Sequence, residues 1–503
     1  MLKKNIFVNY ISQIYVTLIG ILLLPFYIKY MGSEAYGLVG FFSMLQAWFG
    51  VLDLGLTPTI GRETARYKGG SLSALEFRRL YRALSIIFVS VALIAGSVLL
   101  YISEFIAETW LNVTNLPIDE VVIAVQIMAI SVSLRWMGGL FRGVLTGSEQ
   151  LVWLSCFTAL ISTLRFIGVF CSMWLYGFTP LVFFVHQLCV ALLEALMLGI
   201  KAQGLLPKTS ALNANVGFSF KPIKKVLKFS LTIAFTSSVW VFVTQTDKLV
   251  LSGVLPLQDY GHFTLAILVA NGIIMITGPI SSAIMPRMTR LHSESKPIEM
   301  IKIYRQLTQV VSIIAGSAAI TLIVCSKSLL IAWTGDQLLA NNVYLILSLY
   351  AAGNLFLCVA AFSYYLQYAK GNLHYHLIGN IMLLIVLIPS IVWAATNFGG
   401  VGAGYVWLIT NSVFLFVWVA YVHSKIEPGI HLKWIFNDVL KIIIPSLIAG
   451  YLIHYVCISV LSDDRLSSFI TVALVGTIAV LVSYVFSEQK INFTNGVKLR
   501  ILN

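Results

Sequence analysis

Long apolar stretches separated by short polar segments run through the whole chain. A helix needs about 20 apolar residues to cross the hydrocarbon core of a bilayer, where every backbone polar group must be paired. Stretches of that length predict fourteen transmembrane helices. Their approximate limits are 6–30, 36–60, 80–107, 120–146, 152–176, 179–203, 227–252, 259–285, 307–332, 342–369, 375–397, 400–424, 438–461 and 466–487.

Lysine and arginine are concentrated in alternate loops between these stretches. Residues 61–82 hold six of them, residues 201–228 hold six, and residues 287–305 hold five. The intervening loops hold none, namely those near 103–119, 177–179, 253–258, 333–341 and 398–399. Because basic loops stay on the cytoplasmic side, the alternation predicts that both termini are cytoplasmic.

The composition supports a membrane protein and excludes several other classes. Of 503 residues, 59% are hydrophobic and 11% are charged, against about 25% charged in soluble domains. The mean hydropathy is +0.90. The net charge of +13 is accounted for by the basic inner loops, so it does not indicate a nucleic-acid partner. The six cysteines lie in apolar stretches without metal-binding or redox spacing, which indicates reduced packing residues.

The second half of the sequence repeats the first at a shift of about 224 residues. Tyr36 and Gly37 correspond to Tyr260 and Gly261, and the hydropathy pattern repeats with them. Internal repeats in a large membrane protein are typical of transporters. The predicted divisions are an N-terminal lobe (1–203), a cytoplasmic linker (204–226), a C-terminal lobe (227–424), and two further helices with a cytoplasmic tail (425–503).

The loops and motifs argue against an enzyme. No outer loop is longer than about 15 residues, which leaves no room for an external catalytic domain. The sequence contains no Walker loop and no HExxH, CxxC or GxSxG element. We therefore expect neither catalytic residues nor a resident metal or cofactor.

Ionisable residues inside the predicted spans are the candidates for function. A charge at the bilayer centre costs roughly 2.5–3.5 kcal/mol on insertion scales, so it is expected to face the protein interior or a wet cavity. Such residues are Asp53, Arg135, Arg142, Arg165 and Glu194. Arg135 and Arg142 are seven residues apart and share one helix face. Without an obvious acidic partner, they favour an anion-binding cavity. The alternative for Arg165 and Glu194 is a buried ion pair that only fixes helix packing.

Asp247 and Lys248 form the deep charged pair of the second half. Adjacent residues on a helix do not face each other, so each is expected to need a separate partner. Asp247 is a candidate for coupling transport to H⁺ or Na⁺, and a structural bond to a neighbouring helix is the alternative.

Two stretches resemble a known family. The pattern NYISQIYVTLIGILLLPFYIKYMGSEAYGLVGFFSML…VLDLGLTPTIGRETARY, from residue 9 onward, is similar to bacterial polysaccharide flippases (Wzx-type O-antigen and capsule-unit exporters) of the MOP superfamily. The string TDKLVLSG at 246–253 is similar to the segment that opens their second lobe. This resemblance implies two six-helix lobes and transfer of undecaprenyl-diphosphate-linked oligosaccharide across the bacterial cytoplasmic membrane by alternating access.

The resemblance gives roles to the charged residues. A diphosphate needs cationic donors, and arginine supplies planar bidentate ones. The expected diphosphate ligands are Arg135, Arg142 and Arg165, with Arg62 as a first contact at the inner mouth. The candidates for coupling to H⁺ or Na⁺ are Asp53, Glu194, Asp247 and Lys248.

Alternatives within and outside the superfamily remain open. Fourteen helices also fit a lipid II flippase, and a multidrug or cation antiporter would share the fold, although its cavity should favour acids over arginines. A membrane-embedded polysaccharide polymerase is the alternative of a different class, but the long outer loop typical of it is missing. Expected partners are the lipid-linked oligosaccharide, membrane lipids and a polysaccharide polymerase with its chain-length machinery.

Overall fold

The computed structural model describes residues 2–208, 216–217, 221–462 and 464–488, and within them it contains helices but no strand. Parts of the predicted linker and of the predicted C-terminal tail lie outside the described residues. Long helices satisfy their own backbone hydrogen bonds, as an apolar environment requires. The predicted all-helical fold class is confirmed.

Two compact units divide the chain, residues 1–264 and 265–503. The helices that begin in the first unit are α1 (Leu2–Leu22), α2 (Leu24–Met31), α3 (Ser33–Phe49), α4 (Leu56–Lys68), α5 (Ala74–Tyr101), α6 (Ser103–Phe105), α7 (Ile118–Gly147), α8 (Leu151–Thr163), α9 (Val169–Tyr176), α10 (Pro180–Leu205), α11 (Lys221–Val254) and α12 (Leu257–Ser293). Those of the second unit are α13 (Pro297–Val324), α14 (Ser326–Thr334), α15 (Gln337–Ala369), α16 (His374–Val413), α17 (Val419–Ile426), α18 (His431–Lys433), α19 (Lys441–Val460) and α20 (Arg465–Phe486).

Twelve segments among the described residues are long and apolar enough to cross a membrane. One of them, His374–Ile426, has 53 residues, which corresponds to about 80 Å of helix against about 30 Å of hydrocarbon. Gly399 breaks this segment with φ 59° and ψ −146°, a conformation that favours glycine. The protein is therefore a multi-pass membrane protein, and this one segment is long enough for two passes.

Among the described residues, wider π turns interrupt the helices at four places. Such turns are rare and frequently mark functional sites. They are Ile106–Trp110, Leu164–Gly168, Phe414–Trp418 and Trp434–Leu440. The second of these carries Arg165, one of the deep arginines.

The helix pair α3–α4 is broken at a sharp turn. A short 3₁₀ segment, Gly50–Asp53, is followed by Leu54 and Gly55 with φ of 48° and 68°. A Cβ on Gly55 would stand 2.4 Å from the carbonyl oxygen of Ser230 on α11, so both backbone conformation and space require glycine here. The Ser230 hydroxyl also donates to the Leu54 carbonyl at 2.9 Å.

Helix α11 and the start of α12 belong to the first compact unit. Trp110 donates through Nε1 to the Ser252 hydroxyl at 3.0 Å, and the Leu257 amide donates to the Asn112 carbonyl at 2.9 Å. The division into lobes at the 204–226 linker stays a prediction.

The repeated glycines of the sequence meet at a close helix crossing. A Cβ on Gly37 of α3 would lie 2.2 Å from the carbonyl oxygen of Leu257, and one on Gly261 of α12 would lie 2.9 Å from the Gly37 amide nitrogen. Two backbones can come this near only where side chains are missing. The repeated Tyr-Gly pair therefore contributes the small residue that this crossing needs.

The second unit contains a buried polar network around Asp438. This residue is fully buried, and Arg305 donates to its two oxygens at 2.6 and 3.0 Å. Gln309 adds a bond of 2.7 Å to the same carboxylate. Because these bonds join α13 to the π turn before α19, they hold the C-terminal helices against α13.

Candidate functional site

Four deep charges of the first unit come together along the contact between α7 and α10, namely Arg135, Arg142, Arg165 and Glu194. Arg135 and Arg142 lie seven residues apart on α7, and Gln187 and Glu194 lie seven residues apart on α10. Seven residues are close to two helical turns, so each helix presents two side chains on one face. The two rows pair in register: Arg135 contacts Gln187 at 2.7 Å and Arg142 contacts Glu194 at 2.5 Å.

Glu194 is shared by two arginines. One of its carboxylate oxygens accepts from Arg142 and the other from Arg165. The glutamate is buried, with 5% of its surface exposed, whereas the side chains of Arg165 and Arg142 are 23% and 32% exposed. Arg142 also donates to the Thr158 hydroxyl at 3.3 Å. One buried negative charge thus holds two partly exposed positive charges.

Arg135 is held by neutral groups. Its Nη1 donates to Oε1 of Gln46 on α3 at 2.8 Å, and its Nη2 donates to Oε1 of Gln187 at 2.7 Å. The guanidinium carbon lies 4.9 Å from the ring centre of Phe42, within range of a cation–π contact. The buried Nε atoms of Arg135 and of Arg165 have no hydrogen-bond partner among the described residues. Buried donors of this kind are normally satisfied, so these two unpaired donors are unusual.

The cluster carries an excess of positive charge. Three arginines and one glutamate give a formal sum of 3 − 1 = +2. We name this group, together with its two amides, the arginine cluster: Gln46, Arg135, Arg142, Arg165, Gln187 and Glu194.

The contacts correct one sequence-based expectation and bear on another. Arg142 does have an acidic partner, since Glu194 reaches it from α10; the expectation that it lacked one was wrong. The ion pair of Arg165 with Glu194, which was the alternative for these residues, is present; whether it only fixes helix packing stays open. Which ligand these residues bind stays a prediction.

Asp53 and Arg62 lie on the broken helix next to the cluster. Asp53 accepts from the Thr57 hydroxyl at 2.5 Å and from the Thr57 amide at 3.2 Å, and so caps α4. Its Oδ1 would lie 3.9 Å from a Cβ on Gly139, which is one turn beyond Arg135 on α7. Arg62 is exposed on α4 and takes no part in the contacts of the arginine cluster that are described above.

Asp247 and Lys248 contact each other. Lys248 Nζ lies 3.8 Å from Asp247 Oδ1 and donates to the Thr244 carbonyl at 2.6 Å. The lysine side chain folds back along its own helix and has the Thr244 carbonyl as its nearer, separate partner, as expected, while the contact with Asp247 is longer. Asp247 is buried, and its proposed part in ion coupling stays a prediction.

Sequence analysis missed Gln46 and Gln187. The candidates were chosen by charge, and glutamine side chains are neutral. The available signal was spacing, because Gln187 precedes Glu194 by the same seven residues that separate Arg135 from Arg142. In the described part of the chain, His, Cys, Asp and Glu form no group of three that could hold a metal ion.

The fold is that of MOP-superfamily transporters. The structure is similar to that of the lipid II flippase MurJ in an inward closed conformation, with a TM-score of 0.72 at 14% identity over 95% of this chain and 97% of that chain. An inward-facing multidrug resistance MATE transporter of the MOP superfamily gives 0.61 at 14% identity, over 82% of this chain and 96% of that one. A MOP transporter from Pyrococcus furiosus, described as having a binding pocket of reverse polarity, gives 0.53 at 14% identity, over 84% and 94%.

The family itself follows from the sequence. The family described as "Polysaccharide biosynthesis protein" matches residues 2–292, more than half of the 503 residues. The chain belongs to this family, as the resemblance predicted. No curated protein sequence matches the chain.

Proposed function

We propose that the protein transfers an undecaprenyl-diphosphate-linked oligosaccharide, an O-antigen or capsule repeat unit, from the inner to the outer leaflet of the bacterial cytoplasmic membrane. The observation that carries this proposal is the charge of the arginine cluster. A diphosphate esterified on both sides carries two negative charges, and the cluster carries +2. Arginine forms short charge-assisted bonds to phosphate oxygens, and the side chains of Arg142 and Arg165 are partly exposed, which leaves them within reach of a ligand.

The energetics agree with such a carrier. Each hydroxyl taken unpaired into hydrocarbon costs several kcal/mol, so a sugar headgroup needs a polar path while its lipid tail stays in the bilayer. Outward movement of an anion is favoured by an inside-negative potential, by about 2.3 kcal/mol per charge for each 100 mV. Coupling to H⁺ or Na⁺ through Asp53, Glu194 or Asp247 with Lys248 would add to this driving force.

The topology that we propose has fourteen passes with both termini cytoplasmic. The segment broken at Gly399 then counts as two passes, and α11, with 34 residues, counts as another. Arg62 on α4 would lie on the cytoplasmic side and meet the diphosphate first. A polysaccharide polymerase with its chain-length machinery would accept the product on the outer side.

Lipid II transport is the second candidate. It is supported by the similarity to MurJ over 95% of this chain, and lipid II also carries a diphosphate, so the arginine cluster suits both substrates. A cationic drug as substrate is disfavoured because a site of +2 repels it.

Genetic complementation separates these functions. The gene is expressed in one strain that lacks its O-unit flippase and in another depleted of its lipid II flippase. Restored surface polysaccharide in the first strain alone supports the proposal, and rescued growth of the second alone would replace it with the lipid II function. Rescue of neither strain, with the protein present in the membrane, would contradict both.

A further inference from the structure

The two amides around Arg135 are oriented by bonds on their far sides. The NH₂ group of Gln187 donates to the carbonyl oxygen of Arg165 at 3.0 Å, and that of Gln46 donates to the Phe42 carbonyl at 3.4 Å. A carbonyl can only accept, so each amide must turn its nitrogen toward it. Each amide oxygen therefore faces the guanidinium of Arg135.

This arrangement satisfies Arg135 without neutralising it. A carboxylate at either position would accept the same bond, but it would remove one positive charge from the cluster. Glu194, seven residues after Gln187 on α10, is such a carboxylate: it offsets one of the positive charges of Arg142 and Arg165. The charges of Arg135, Arg165 and Glu194 interact electrostatically. A new charge at Gln187 would therefore change the electrostatic energy of the whole cluster.

We infer that Gln46 and Gln187 are specificity-determining residues that keep the arginine cluster at +2 and thereby select a diphosphate ligand. The inference rests on the proposed function, since it names the residues that set the charge of that same site. Gln187 also has a positioning role. Its amide bridges Arg135 to the backbone of the π turn that carries Arg165, so it positions two arginines.

The test is a change of charge without a change of size. Gln187→Glu keeps the shape and the bond to Arg135, loses the bond to the Arg165 carbonyl, and lowers the charge of the cluster from +2 to +1. The double variant described below lacks the same bond and so separates its loss from the change of charge. One unit charge within several ångströms of a dianion changes affinity by about tenfold even at the dielectric constant of water, and by more in a less polar site. The probe is undecaprenyl diphosphate, added to the purified full-length protein in nanodiscs, with uncharged undecaprenol and inorganic diphosphate as parallel ligands. Binding is measured by native mass spectrometry.

Two further variants make the result specific. Gln126→Glu adds the same charge on α7, nine residues before Arg135, where the wild-type amide contacts Ser103; at 1.5 Å per residue it lies about 13 Å away along the helix. The double variant Gln187→Glu/Glu194→Gln restores the formal charge to +2.

We expect Gln187→Glu to bind undecaprenyl diphosphate at least about tenfold more weakly than wild type. Its melting temperature should stay close to that of wild type, because the ionic contact that Arg135 gains offsets the lost bond to the Arg165 carbonyl. Gln126→Glu should bind like wild type, and the double variant should regain most of the lost affinity. A purely structural role for Gln187 predicts no loss of affinity in a variant that melts normally.

The inference is overturned if Gln187→Glu binds as wild type does, or if the double variant is no better than the single one. Failure of the proposed function looks different: wild-type protein would then show no preference for undecaprenyl diphosphate over undecaprenol. Equal affinity for inorganic diphosphate and for undecaprenyl diphosphate would show that the site recognises the diphosphate alone, which agrees with the inference.

Discussion

Replacing Glu194 by glutamine tests how the arginine cluster is balanced. The substitution keeps the side-chain shape but leaves Arg142 and Arg165 facing each other without their shared carboxylate. Removing one partner of a buried ion pair costs about 3–5 kcal/mol. Because the two arginine side chains are 32% and 23% exposed, water screens part of this penalty. We therefore expect a loss of about 2–3 kcal/mol in the free energy of unfolding.

The assay is reversible unfolding of the purified protein in mixed micelles, followed by tryptophan fluorescence. Arg165→Met serves as the matched variant, because it leaves Glu194 paired with Arg142. The double variant should be less destabilised than the sum of the two single ones, by about 1–3 kcal/mol, as contacting residues are not additive. Additive effects, or a loss below about 0.5 kcal/mol for Glu194→Gln, the scale of an ordinary surface substitution, would refute the buried pairing.

A bound ligand should stabilise Glu194→Gln more than it stabilises wild type. Glu194→Gln raises the formal charge of the cluster to +3 and frees two arginines for phosphate oxygens. A ligand that binds only the folded state stabilises it in proportion to its affinity. Undecaprenyl diphosphate should then raise the stability of Glu194→Gln more than that of wild type; an equal or smaller rise would mean that Glu194 does not compete with the anion.

Three further substitutions address other parts of the molecule. Arg135→Ala should abolish surface polysaccharide while immunoblots of membranes show normal protein levels; normal polysaccharide display would contradict the cationic site. Gly37→Ala places a Cβ 2.2 Å from the carbonyl oxygen of Leu257, which forces the crossing apart at about 1–3 kcal/mol; an unchanged melting temperature in detergent would refute this. Asp438→Asn weakens two bonds from Arg305 and should make the C-terminal helices more sensitive to protease, by about 2–4 kcal/mol of local stability; wild-type protease resistance would contradict the anchoring role.

The fold could be predicted from the sequence because a bilayer leaves few alternatives. Apolar segments of sufficient length must be helices there, so hydropathy alone located nearly all of them. The helix breaks were harder to see. Gly55 and Gly399 look like any glycine in a membrane helix, and nothing in the local sequence marks the positive φ that each adopts.

The candidate site was predictable only where it is charged. Arg135, Arg142, Arg165 and Glu194 stand out because a charge in an apolar helix needs a reason. Their pairing could not be read from sequence, since α7 and α10 meet in a register that depends on the packing of whole helices.

The repeat explains why only one half carries the site. Arg135 corresponds, at the shift of 223, to Cys358, whose thiol lies 3.6 Å from the Thr277 hydroxyl in the buried core of the second unit. The duplication kept what a scaffold needs from both copies, such as the glycines at the crossing of α3 and α12. A second arginine cluster in the other half would instead provide a second site for an anion. A carrier of one anion needs the charge once, so the difference between the halves is itself consistent with transport of a single diphosphate.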